Sequence, residues 1–160
     1  MTRSKTIKKT TNGHKLIENG QVVASGKFTK EQLTSWKSNK LDVGDCFEVS
    51  ARLIIKSKQK ELRGAKLCHG IVTGQGPLDG CKFGHAWLEY QIAINNELTI
   101  TMVMDNSNGK SINLPAELYY RIGQISEKSV ERYSQDEVKK LLLSTGHYGP
   151  WKANNSKAVH

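Results

Sequence analysis

Three cysteines, three prolines and three phenylalanines among 160 residues exclude several kinds of protein at the outset. Cys46, Cys68 and Cys81 are odd in number and lack the spacing of a disulfide framework. That pattern points to free thiols in a reducing compartment, the cytoplasm, with one bridge, Cys68–Cys81 for instance, left open. No stretch approaches the roughly 20 consecutive apolar residues of a membrane span. Residues 1–9 (Met-Thr-Arg-Ser-Lys-Thr-Ile-Lys-Lys) have no apolar run of the kind found in a secretion signal. Self-similarity at a fixed period is missing, which argues against a repeat architecture. Acidic residues are absent from the first sixteen positions, and aromatic residues are only 7% of the chain.

Ordinary globular composition remains: 37% hydrophobic and 24% charged residues, at a length that suits one domain with its own core. The formal charge of +9 is concentrated at the ends. Arg3, Lys5, Lys8, Lys9 and Lys15 make residues 1–16 a basic segment, expected to be flexible, and Lys152 and Lys157 mark a flexible tail over 152–160. Between them, 17–151 reads as a single domain. A basic end holds nucleic acid or an acidic partner through its charge, or simply keeps the chain in solution. A second basic cluster, Arg52, Lys56, Lys58, Lys60, Arg63 and Lys66, is relieved only by Glu61. No aromatic residue interrupts it, so it offers no stacking platform for single strands.

Punctuation divides the chain into elements. Asn19-Gly20 is a hairpin turn within 14–26. Thr29 and Gln32 form a capping box for a short helix carrying Leu33 and Trp36 and ending near Asn39. From Cys46 to about Lys58, Phe47, Ser50/Ala51 and Ile54 recur at helical spacing, with Val49 and Leu53 widening the apolar stripe. Gly64 ends that pattern. Strand patterns follow over 65–74, 83–95 and 98–104. Pro115 suits the first position of a helix reaching Gly123, and Ser134 with Glu137 caps a last helix to Gly146. His147 to Trp151 is expected to pack back on the domain. The order of elements predicts an α+β domain.

The chemistry-bearing positions sit at particular places in that order. Cys46 opens the buried helix, where the free N–H groups favour an anion and hence a thiolate. His85 lies mid-strand and Asp105 ends the next strand, so antiparallel pairing brings base and carboxylate together. A carboxylate on the far imidazole nitrogen fixes the tautomer and stabilises the imidazolium.

Gly44-Asp45-Cys46 with Ala51 five positions on, Leu67-Cys68-His69-Gly70-Ile71-Val72-Thr73-Gly74, Gly84-His85-Ala86-Trp87-Leu88-Glu89, and Met104-Asp105 follow one another across residues 40–110. In type and order they resemble the transglutaminase-like branch of the papain-like cysteine protease superfamily. The resemblance implies a nucleophile helix packed on an antiparallel sheet with flanking helices. It also implies Cys46 as nucleophile, His85 as general base and acid, and Asp105 as orienting carboxylate. The chain departs from the family where Asp105 is followed by Asn106-Ser107 instead of Pro-Thr, so Asn106 competes for the orienting role. The Cys46 backbone N–H is one expected oxyanion donor. Trp36 and Asn39 are candidates for the other, Cys68 for lining the cleft, and Trp87 for bordering the site. Glu89 is expected to pair with a basic neighbour.

The expected activity is that of a cysteine-dependent hydrolase or acyltransferase on peptide or glutamine-type amide bonds, passing through a thioester. Peptidase, deamidase and cross-linker share the same triad, and the short length favours hydrolysis. The expected partner is a protein or peptide substrate, with no cofactor and no metal. A catalytically silent module binding through its basic end is the alternative. Cys68, His69, Cys81 and His85 also make a four-ligand set for zinc, but without the short Cys-x2-Cys knuckle.

Overall fold

Twelve helices and strands follow the sequence punctuation closely in a computed structural model, which describes residues 4–38, 46–58, 60–75, 79–109 and 111–152. Asn39, proposed above as an oxyanion donor, lies outside the described residues. The strands are β1 (Lys5–Thr10), β2 (Gly13–Glu18), β3 (Gln21–Gly26), β4 (Lys66–Thr73), β5 (Lys82–Ala93), β6 (Thr99–Asp105), β7 (Ile112–Pro115) and β8 (Glu131–Tyr133). The helices are α1 (Lys30–Lys37), α2 (Cys46–Lys56), α3 (Ala116–Ile122) and α4 (Gln135–Thr145). The architecture is α+β, with one mixed-length antiparallel sheet and helices against it.

Local chemistry accounts for most boundaries. β2 and β3 turn at Asn19 and Gly20, both with positive φ (51° and 81°), as a two-residue hairpin requires. Thr29 and Gln32 close the expected capping box on α1, and Ser134 and Glu137 close the one on α4. Gly146 at φ 72° ends α4 in the left-handed conformation.

Three elements depart from the sequence reading. Residues 5–10, placed within a flexible basic segment, form β1, because Ile7 pairs across from buried Leu16 and anchors an otherwise polar strand. Pro115 does not begin a helical turn; it ends β7 opposite Met102 and precedes α3. Its missing N–H is tolerated because, among the described strands, β7 pairs only with β6. β8 is three residues long, too short for a period-2 signal, and is held by pairing with β4.

The sheet runs β1-β2-β3-β5-β4-β8, with β6 added to β5 and β7 to β6. β4 lies along one edge of β5 from Lys82 to Glu89. The other edge of β5 is shared: β3 pairs with Lys82 and Phe83, and β6 with Leu88 to Ala93. Residues 84–87 therefore have no strand partner on that side, and His85 falls in the gap.

Three apolar clusters hold the layers. Phe47, Ala51 and Ile54 of α2 pack on Leu67, Ala86 and Leu88, with Tyr133 and Val138 closing the far side. On the opposite face Cys68, Val72, Trp87, Val103 and Val130 are buried together. Leu16, Ala24, Phe28, Trp36 and Cys81 form a separate core under the β1–β3 hairpins. Trp151 packs on the first cluster, against Tyr133 and His69, as expected of the aromatic tail.

Candidate active site

α2 carries Cys46 at its first residue, 2% exposed, and drives its apolar stripe into the main core. One turn further on, Ser50 Oγ donates to the carbonyl of Ala86 at 3.1 Å. This bond pins the helix start to the segment of β5 that lacks a strand neighbour, next to His85. His85 in turn packs against Trp87, two positions along the same face, with ring centroids 6.2 Å apart. Trp87 itself lies over Gly70 of β4. A Cβ there would come within 2.7 Å of the indole, so only glycine fits at that position.

His85 Nε2 and Asp105 Oδ2 are 2.7 Å apart, both residues buried. Cys46 lies near enough to the imidazole for its charge to favour the protonated form. Burial pushes the imidazole pKa down, but the charge of Cys46 and the bond and charge of Asp105 outweigh it and hold His85 above its ordinary value. Burial likewise raises the Asp105 carboxyl, and hydrogen bonds from His85, Ser107 and Tyr119 reverse the sign, holding it well below the usual carboxylate range. Asp105 Oδ1 accepts from the Ser107 backbone N–H at 3.1 Å and from Ser107 Oγ at 2.7 Å; Oδ2 accepts from Tyr119 Oη at 2.7 Å. Burial and the neighbouring carboxylate raise the Tyr119 hydroxyl far above its normal range, so it stays protonated and can donate to Asp105.

The three residues singled out by type and position are thus brought together, in the order thiol, imidazole, carboxylate. Between the two orienting candidates, the imidazole pairs with Asp105; the Asn106 Oδ1 is buried without a partner among the described residues. The lesser candidates go elsewhere. Trp36 is fully buried in the hairpin core, its ring under the Lys5 ammonium, and so is not a cleft residue. Cys68 sits across β4–β5 from Trp87, enclosed by Val103 and Val130, its thiol pushed up by burial and then by Glu89. Trp87 borders the site through His85, as expected. Glu89 pairs with Arg132 at 2.9 Å and also accepts from Tyr120.

Ser50, Ser107 and Tyr119 were not anticipated. Asp105-Asn106-Ser107 carries a local signal, since an Asp side chain commonly accepts from the residue two positions on. Tyr119 carries none, because its partner lies 14 residues away on another element.

The four-residue zinc set does not converge. Cys81 belongs to the hairpin core and Cys68 to the Trp87 face, whereas His69 is enclosed by Phe47, Tyr133 and Trp151. Among the described residues no group of three or more His, Cys, Asp or Glu is placed to hold a metal ion. All three cysteines are free thiols. No helix among those residues is long and apolar enough to cross a membrane.

No family model matches the chain, and no curated protein or solved structure matches it significantly.

Proposed function

We propose that this protein is a cysteine-dependent acyl-transfer enzyme with a transglutaminase-like, papain-like core, acting on peptide or glutamine-type amides in the cytoplasm. The observation that carries the reading is the buried imidazole of His85, bonded to Asp105 and within reach of the charge of Cys46 at a helix start. Cys46 passes its proton to His85, and the resulting thiolate attacks the amide carbonyl carbon. The negative charge moves to the carbonyl oxygen, near the backbone N–H of Cys46. Collapse expels the amine as His85 returns the proton to its nitrogen, leaving a thioester on Sγ. Water or an amine, deprotonated by His85, then attacks the thioester and frees the thiol. Water gives a peptidase or deamidase, and a lysine amine gives a cross-linker.

Site-resolved alkylation with iodoacetamide, read by mass spectrometry from pH 5 to 9, tests this without a known substrate. Cys46 is expected to be labelled faster than the other two thiols at neutral pH, because the imidazole beside it accepts its proton. Cys68 and Cys81, both raised by burial, react only as the pH climbs. His85→Ala removes that advantage, and Cys46→Ala abolishes amide cleavage while the fold persists. Full activity in Cys46→Ala, or three thiols labelled at equal rates, sinks the reading.

A second reading has one observation in its favour. Lys8, Lys15, Ser25, Lys82 and Thr73 are successive cross-strand partners across β1, β2, β3, β5 and β4, a row of three lysines with no carboxylate among them. A polyanion, nucleic acid or an acidic protein, would complement that row, and Lys8→Glu with Lys15→Glu would then abolish salt-sensitive binding.

A further inference from the structure

His69 on β4 is a titratable group that the acyl-transfer chemistry leaves unused. Its ring is fully buried, and among the described residues neither nitrogen has a hydrogen-bond partner. The rings of Phe47, Tyr133 and Trp151 enclose it, with centroids at 4.8, 5.1 and 5.1 Å. Backbone closes over the ring edge as well. A Cβ on Gly149 would come within 2.6 Å of His69 Cε1 and 3.3 Å of Phe47 Cδ1.

The walls of this cage are held with unequal strength. β4, β5, β8 and α2 are bound to one another through strand pairing and the main apolar core. Residues 147–152 follow the end of α4 and belong to no strand of the described sheet. Some of their bonds are local, with Trp151 Nε1 donating to the His147 carbonyl at 3.1 Å and to Thr145 Oγ1 at 3.2 Å. Across to the body they are tied by Lys152 Nζ to Glu131 at 2.7 Å and by the Arg52 guanidinium over the Tyr148 ring. Ion pairs this open to water hold weakly, so this segment is the wall that leaves at least cost.

Charge around the ring opposes a proton while the segment is in place. From β5, the charge of His85 acts against a second cation. From β8, Glu131 stands opposite His69 but is taken by Lys152, and Tyr133 presents its ring. α2 presents Phe47, and α4 adds apolar Val138 and Leu141 to the same core. On the segment itself the exposed His147 accepts the Gly149 N–H through Nδ1 at 3.1 Å. Burial first, then His85, hold the His69 imidazole at about 3. Once water reaches the ring its ordinary value returns, and linkage then multiplies the released population by about a hundred at pH 4.5.

We infer that residues 147–152 are an acid-released strap: a proton taken up by His69 drives them off the sheet and unseats Phe47, the residue after Cys46 on α2. In its effect on Cys46 the inference rests on the acyl-transfer reading, and it makes acid a switch that turns the enzyme off.

Indole 15N–1H spectra between pH 7 and 3.5 test this, because Trp36 and Trp87 are fully buried elsewhere and report the fold. Trp151→Phe assigns the third cross-peak. In the wild type the Trp151 peak is expected to move reversibly to the position of a solvent-exposed indole, with the Trp36 and Trp87 peaks unchanged at that pH. His69→Phe keeps an aromatic ring in the cage without a titrating group, and should hold the Trp151 peak in place. A Trp151 peak that never moves in the wild type, three peaks moving together, or the same transition in His69→Phe each overturns the inference. Gly149→Ala reads the consequence for Cys46 at constant pH 7, since its methyl group cannot fit against the imidazole and φ is 113° there. Its Trp151 peak should take the released position, and iodoacetamide labelling of Cys46 should fall at least threefold. A peak still in the closed position, or a released strap with unchanged labelling, overturns the inference and leaves the acyl-transfer reading intact. Wild-type Cys46 labelled no faster than Cys68 and Cys81 overturns that reading itself, while the spectra still decide the strap.

Discussion

Asp105 shows how one side chain is fixed by neighbours that are distant in the chain. Its two oxygens accept from four donors, on His85, Ser107 (two) and Tyr119. Hydrogen bonds to a charged acceptor contribute about 1.5–3 kcal/mol each, so Tyr119→Phe should slow turnover roughly tenfold with little change in substrate affinity. Steady-state kinetics checks this: a fall in kcat at unchanged KM supports a positioning role for the hydroxyl. His69 is the opposite case, a fully buried imidazole whose two nitrogens have no partner among the described residues. Burial, helped by His85, lowers its pKa from 6.5 to about 3. The unfolded chain then binds a proton that the folded chain refuses, so stability is present above pH 6.5 and drains away as the pH falls towards 3. The loss between pH 7 and 4 is about 3 kcal/mol at most, and His69→Phe should flatten the dependence in urea titrations at the two pH values. Residue types and chain order were enough to single out Cys46, His85 and Asp105. Ser107 was within reach of an Asx-turn argument, and Tyr119 was not, because nothing near it in the chain marks its target.

Among the elements, α2 and α4 look alike in sequence but do different work. α4 is defined by its own capping box and glycine terminator. Ser134→Ala should cost about 1 kcal/mol of stability and leave turnover untouched. α2 is docked by Ser50 to the Ala86 carbonyl, one turn below Cys46. Ser50→Ala leaves that buried acceptor without its donor, at a cost of about 1–3 kcal/mol, and also loosens Cys46 against His85. The expected signature is a drop in the neutral-pH alkylation rate of Cys46, which Ser134→Ala does not show. The hydrophobic period placed both helices correctly. It missed β1, β7 and β8, because a strand of three to six residues with only one or two apolar side chains carries too little pattern, and pairing with a neighbour supplies what the pattern lacks.

For the molecule as a whole, the division of β5 matters most. One of its edges is continuous with β4, while β3 and β6 share the other and leave residues 84–87 between them. α2 meets β5 at that interruption, where Ser50 bonds the Ala86 carbonyl beside His85. The C-terminal aromatic segment closes the same core from the other end, with Trp151 against His69 and Tyr133 and its indole N–H donating to the His147 carbonyl at 3.1 Å. Trp151→Ala should lower stability by about 2–3 kcal/mol, the half-buried share of a typical tryptophan truncation. It should also wet His69, raising its pKa towards 6.5, as an NMR titration of the imidazole Cε1 proton would report. Sequence alone determined the α+β class, the capped helices and the Asn19-Gly20 turn, since each depends on side chains a few positions apart. Only the tertiary structure decided that Asp105 rather than Asn106 meets His85, and that Trp36 and Cys68 are core residues. Those outcomes depend on which strand lies beside which, and register between distant strands is set by the packing of the whole sheet.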